Sequence, residues 1–247
     1  MKNRLLKPAL LLSASAVLLL LSTVGSTRAA LTYYSENYAV EVTVSSIGVS
    51  LLENGEIVSY RNYDKDKWNE GGGELLAHML EEGEELTPGK SYEEVLAVAN
   101  SGAIDSYVRV ILNKSWLDSE GNVDTTLSPD LVDLNLQLGN GWIEDEAAST
   151  SERTVLYYTG ILPSGQSTPA FSDTLKVNPE ITAKVTEEIT TDAKGYQTIT
   201  TTYTYDDYRF QLDAEVDAVQ THNAQDAIKS AWGIDVDIAA DGSLSLR

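Results

Sequence analysis

The chain has no cysteine. No disulfide can staple it, and no thiolate is available as a nucleophile or a soft metal ligand. Histidine is nearly as scarce, with His78 and His222 the only 2 in 247 residues and each alone in sequence. A zincin-type protease needs two histidines one helical turn apart with a glutamate beside the first, and that pattern is missing. So are the Gly-x-Ser-x-Gly setting of a nucleophile elbow and any glycine-rich phosphate loop. Positive charge is short as well. Lys and Arg number 17 against 38 Asp and Glu, a net charge of −21. Setting aside the 4 bases of the first thirty residues, Lys2, Arg4, Lys7 and Arg28, leaves −25 on the rest. A chain this acidic does not bind nucleic acid or an anionic membrane through its general field. No repeat, linker or βαβ rhythm divides it, and about 220 residues beyond the front segment are enough to hold one fold by burial alone.

What is present begins with the one long hydrophobic run. Lys2, Arg4 and Lys7 form a basic start, residues 9–24 are apolar, and residues 25–30 are mostly small. Those are the three parts of a secretory signal. The apolar stretch falls short of the roughly 20 residues that span a bilayer, and Ser13, Ser15 and Ser22 weaken it further. The membrane therefore enters only through an uncleaved signal segment.

Beyond it the pattern is that of strands. Residues 39–52 alternate Val40, Val42 and Val44 against Glu41, Thr43 and Ser45, followed by the hairpin signal Asn54-Gly55. Residues 64–73 read as a polar, glycine-rich loop, and Leu75, Leu76, Met79 and Leu80 as one face of a short helix. Residues 86–116, LTPGKSYEEVLAVANSGAIDSYVRVILNKSW, hold a Pro-Gly turn, an alternating strand with Leu96 and Val98 on one face, a break at Asn100-Ser101-Gly102, and a second strand through Val108, Val110 and Leu112. Ser128-Pro129 suggests a capped helical turn, with Leu134, Leu136 and Leu138 alternating after it. Residues 153–161 read as a strand, and residues 182–205 as a threonine-rich hairpin broken at residues 192–195. Residues 208–220 give the cleanest alternation, Phe210, Leu212, Ala214, Val216 and Ala218 against Gln211, Asp213, Glu215 and Asp217. Then the period switches to helical, with Asn223 as the expected cap and Gly233 as the stop. About ten short strands with turns between them predict an all-β, two-sheet antiparallel sandwich with a few short helices.

The order "Leu-x-Pro-Gly", alternating strand, "Asn-x-Gly", second strand in residues 86–116 resembles the centre of the TasA/camelysin family. The tail VDAVQTHNAQDAIKSAWG, residues 216–233, is similar to the carboxy-terminal part of close TasA-like relatives, and Ser26-Thr27-Arg28-Ala29-Ala30 is similar to the cleavage region read by a SipW-type signal peptidase. The resemblance implies a cut after Ala29 with Thr27 as the other small flanking residue, although a cut after Ala30 fits the chemistry equally. It implies a signal peptide over 1–29 and a single jelly-roll-like domain over 30–247. It further implies a secreted subunit that polymerises into extracellular, biofilm-matrix fibres by donor-strand addition. Residues 30–38 would be the donor, with Leu31, Tyr33, Tyr34 and Tyr38 as strand-prone side chains. The expected partners are copies of the chain itself and the signal peptidase; the expected location is extracellular, at the cell surface or in the matrix.

Two other readings compete. Camelysin-type relatives are sometimes classed as cell-surface metalloproteases, but no zinc-protease motif is present, and the expectation is that the chain is not an enzyme. The third reading is a calcium- or glycan-binding surface adhesin. Asp64 and Asp66, or Asp118, Glu120 and Asp124, space carboxylates along loops in a manner that suits Ca²⁺. Neither completes a calcium-loop signature, and solvated loop acids are the plainer reading; no cofactor is expected, with calcium the ion these loops would suit. Tyr33, Tyr34, Tyr38, Tyr157, Tyr158, Tyr203 and Tyr205 are expected to be cross-strand packing rather than a sugar platform.

Overall fold

The computed structural model describes residues 46–64, 67–80, 84 and 86–247, with Asp64 described by its backbone alone. The expected cleavage residues Thr27, Ala29 and Ala30, the donor residues Leu31, Tyr33, Tyr34 and Tyr38, and the metal candidate Asp66 lie outside these.

Strand β1 (Gly48–Glu53) turns into β2 (Glu56–Asp64) through Asn54 and Gly55, both at positive φ of 51° and 88°. Positive φ at both central residues is what a tight hairpin of this hand requires. β3 (Lys67–Gly71) folds back on β2, so much of the expected polar loop at residues 64–73 is an edge strand. On the other side β1 pairs with β4 (Ser91–Ala99). β5 (Ser106–Leu117) follows, then a short 3-10 turn, Pro129–Leu131, in which Ser128 accepts from the Asp130 amide as the sequence suggests. β6 (Val132–Leu136), β7 (Trp142–Glu144), β8 (Arg153–Tyr158) and β9 (Ser172–Val177) come next. The hairpin β10 (Val185–Thr191) and β11 (Gln197–Tyr203) pairs with itself and is exposed on both faces, not only the outer one.

β12 (Arg209–Gln220) is the longest alternating strand and runs into the helix α1 (Ala224–Trp232). Gly233 ends the helix at φ 76°. Asn223, expected to cap it, instead sits at φ 49° and makes no side-chain cap bond. β13 (Val236–Ile238) and β14 (Leu244–Leu246) close the chain as a small hairpin.

Among the described residues the fold is all-β with one α-helix, and every strand pair is antiparallel. A six-stranded sheet runs β3-β2-β1-β4-β9-β6, and a four-stranded sheet runs β12-β5-β8-β7. Val49, Leu51, Leu96, Val98 and Leu175 of the first sheet share one core with Val108, Val110, Leu112, Leu156 and Leu212 of the second. The opposite face of the four-stranded sheet is buried too. There Tyr107, Ile111, Val155 and Tyr157 pack under Ile228 and Trp232 of α1, with Val236 and Leu244 beside them. β5 is therefore apolar on both faces because it is covered on both.

The short helix expected at residues 75–80 does not form. Those residues are turns, and Leu76 takes φ 65°. Leu75, Leu76 and Met79 still reach the main core, as their apolar pattern demands. A helix of six residues has too few hydrogen bonds to offset its nucleation, so packing decides the backbone.

Candidate functional site: a cleft along a free strand edge

β12 pairs with β5 over its whole length, from Arg209↔Leu117 to Gln220↔Ser106. Among the described residues no strand pairs with its other edge. An edge strand presents a row of unpaired N–H and C=O groups, a template for a further strand. Twelve residues is long for such an edge.

Beside that edge lies a cleft of about 410 Å³ between β12 and the β1–β2–β3 end of the larger sheet. Val49 and Leu51 form its floor with Val216 of β12, while Tyr60, Arg61 and Asp217 stand around it. A smaller hollow of about 80 Å³ continues it past Val49, Arg61, Trp68 and Ala218. Three of the four charged side chains here are paired, and the fourth, Glu215 of β12, stands exposed. Arg61 lies over the Trp68 ring at 4.5 Å and meets Glu70 at 3.5 Å, and Asp217 is held by Arg109. An apolar floor beside a backbone edge that no described strand pairs suits an extended peptide. The described residues lining the cleft offer no nucleophile with a base beside it.

The chain matches no protein-family model, no curated protein and no solved structure.

The sequence-level candidates scatter. Asp118 and Asp124 hold their own loop: Asp118 accepts from the amides of Glu120 and Asn122 at 2.9 and 2.8 Å, and Asp124 from Thr126 at 2.8 Å and the Tyr208 hydroxyl at 3.1 Å. These hydrogen bonds, from Asn122 foremost on Asp118 and from Thr126 foremost on Asp124, hold both carboxyls below the usual range. Glu120 stands beside them, exposed. Among the described residues no three His, Asp or Glu side chains come together as a metal-holding group. Asp64 lies at the end of β2, opposite Lys67. His78 and His222 are both exposed, far apart in sequence and on different elements. Among the described tyrosines, Tyr157 is buried under Trp232 with ring centroids 5.6 Å apart, whereas Tyr203 is exposed on the β10–β11 hairpin.

One pair of residues escaped the sequence reading. Glu94 on β4 is 0 % exposed and Glu53 on β1 is 7 % exposed. Glu53 stands directly across from Leu96, which puts Glu94 one inward-facing step further along β4. Glu53 Oε1 accepts the Leu76 amide at 2.6 Å, and neither carboxyl oxygen of Glu94 meets a donor. Burial first, then the charge of Glu53 and a hydrogen bond to it, push the Glu94 carboxyl up to about 8. Its signal was its phase: Tyr92, Glu94, Leu96 and Val98 all fall on the inward face of one alternating strand.

Proposed function

We propose that the chain is a secreted structural subunit, of TasA/camelysin type, whose copies polymerise into extracellular fibres. Its two sheets would form a jelly-roll-like sandwich left one strand short beside β12. Residues 30–38 of one copy would lie along β12 of the next, with alternate side chains such as Leu31 and Tyr33 dropping onto the apolar floor. Backbone pairing along an edge supplies affinity in such an arrangement, and pockets for alternate side chains supply register. The observation that carries this reading is the β12 edge, which no described strand pairs, running beside a cleft floored by Val49, Leu51 and Val216.

The resemblance in residues 26–30, 86–116 and 216–233 supports the same reading. The signal segment would take the chain out of the cell, and cleavage after Ala29 would free the donor strand from its tether. Purified protein without residues 1–29 tests it by electron microscopy and a casein assay together. Filaments with no casein cleavage are expected. Cleavage of casein that EDTA abolishes would make the chain a metalloprotease, and a protein that stays monomeric under every condition would make it an adhesin.

A further inference from the structure

The Glu53–Glu94 pair plays no part in that reading, and two buried carboxyls side by side have to be accounted for. Two ionised carboxylates in an apolar site repel one another and lose their hydration. A single proton changes the arithmetic. Placed on Glu94, it gives that side chain a donor and turns repulsion into a short, charge-assisted O–H···O⁻ bond. Glu94 is then no longer without a partner, and Glu53 keeps the one negative charge that the Leu76 amide faces.

We propose that Glu53 and Glu94 form a latch worked by one proton: sharing it, they hold residues 74–80 down on the core, and losing it, they let that segment go. The geometry joins the pair to the segment at one point, the Leu76 amide on Glu53 Oε1. Leu76 is a non-glycine residue in left-handed backbone, φ 65°, a conformation that costs about 1 kcal/mol and persists only while surrounding contacts impose it. Release relieves it. The anchor on the near side is Gly73, whose amide binds Val58 O at 2.8 Å, so the freed stretch begins after Gly73. Gly71 and Gly72 line the cleft beside β12, which puts the latch a few residues from that rim.

Among the described residues, the ionisable groups on the neighbouring elements are exposed or engaged elsewhere. On the hairpin Glu56 is exposed, as are Glu93 on β4 and Lys176 on β9. Asp173 of β9 is taken by Asn135 and Gln137. In the cover itself Glu74 and His78 are exposed. From the facing sheet, Lys114 of β5 reaches Val132 O, and Arg209, Asp213 and Glu215 of β12 are exposed.

This inference goes beyond the fibre reading and stands or falls without it. The test is an NMR titration of the full chain from pH 5 to 9.5, following the Glu94 carboxyl carbon and hydrogen-exchange protection at the Leu76 amide. The expected result is a carboxyl midpoint near 8 and a loss of Leu76 protection of at least about tenfold over the same interval, with Val110 in β5 unchanged. In Glu94→Gln, which donates a hydrogen bond without titrating, Leu76 should stay protected throughout. A Glu94 midpoint in the ordinary carboxylate range, about 4.3, overturns the proposal. So does Leu76 protection that ignores pH in the native chain, or that falls equally in Glu94→Gln. Should that variant not fold, the native titration decides alone.

Discussion

Arg109 on β5 and Asp217 on β12 stand directly opposite one another, joined by two hydrogen bonds, 3.0 Å from Nε and 2.5 Å from Nη2 to the same carboxylate oxygen. The guanidinium also lies over the Trp232 ring at 5.3 Å, so one side chain ties β12, β5 and α1 together. Asp217 lies at the wall of the cleft, and the pair fixes β12, whose far edge no described strand pairs.

Breaking it should be felt. With side chains only 14 % and 24 % exposed, the pair is poorly screened. Asp217→Asn should lower unfolding free energy by about 1.5–3 kcal/mol, the usual range for a hydrogen bond to a charged group. Urea denaturation checks it, and an unchanged midpoint would show that solvent takes over the pair's role.

The helix face of the four-stranded sheet is a second core, and Ile228 is its fully buried centre. Ile228→Ala should cost about 2–5 kcal/mol. A loss below 1 kcal/mol would mean that α1 sits on the sheet without supporting it.

Glu94 sets a pH dependence of known sign. Its folded pKa, about 8, lies above its unfolded value of 4.5. The folded state therefore holds the proton longer, and the stability this gives is complete below about 4.5 and lost as pH rises to about 8. The slope in that window is at most about 1.4 kcal/mol per pH unit. Asp118, Asp124, Asp235 and Asp241 are shifted down by hydrogen bonds and work in the opposite sense, in acid. The measurement is accordingly a difference: urea midpoints of the native chain and Glu94→Gln between pH 5 and 9. The two should diverge steadily with pH, and parallel curves would contradict the assignment.

Charge governs assembly in the proposed fibre. Copies near −25 beyond their first thirty residues repel, and salt shortens that repulsion to roughly 8–10 Å. Millimolar Ca²⁺ or acid should therefore speed filament growth. Equal rates by light scattering in low salt at neutral pH and in Ca²⁺ would count against it.

The alternating strands were readable because one face of each is buried and the other is not. β12, β4 and the Asn54-Gly55 hairpin are where their patterns put them. β9 was not readable, although it lies inside the larger sheet. Its pairing register shifts near Asp173 on both sides, so Ser172 and Leu175, three apart, are both buried and the period of two is lost. β3 is exposed almost throughout and carries no hydrophobic phase at all. The leucines at residues 75–80 announced burial correctly but not the backbone that achieves it. Of the cleft, Val216 was visible as part of the apolar face of its alternating strand. Which edge would be left unpaired is a property of the pairing order, and no local pattern encodes that.

The central claim is that residues 30–38 join one copy to the next. The most direct measurement is electron microscopy, with sedimentation and circular dichroism alongside, of two proteins that both lack residues 1–29, one of them also lacking residues 30–37. The shortened protein should remain folded, sediment as a monomer and form no filaments under conditions where the longer one does. Filaments of normal appearance from the shortened protein would place the joint elsewhere, and a shortened protein that cannot fold would show that the strand completes its own subunit.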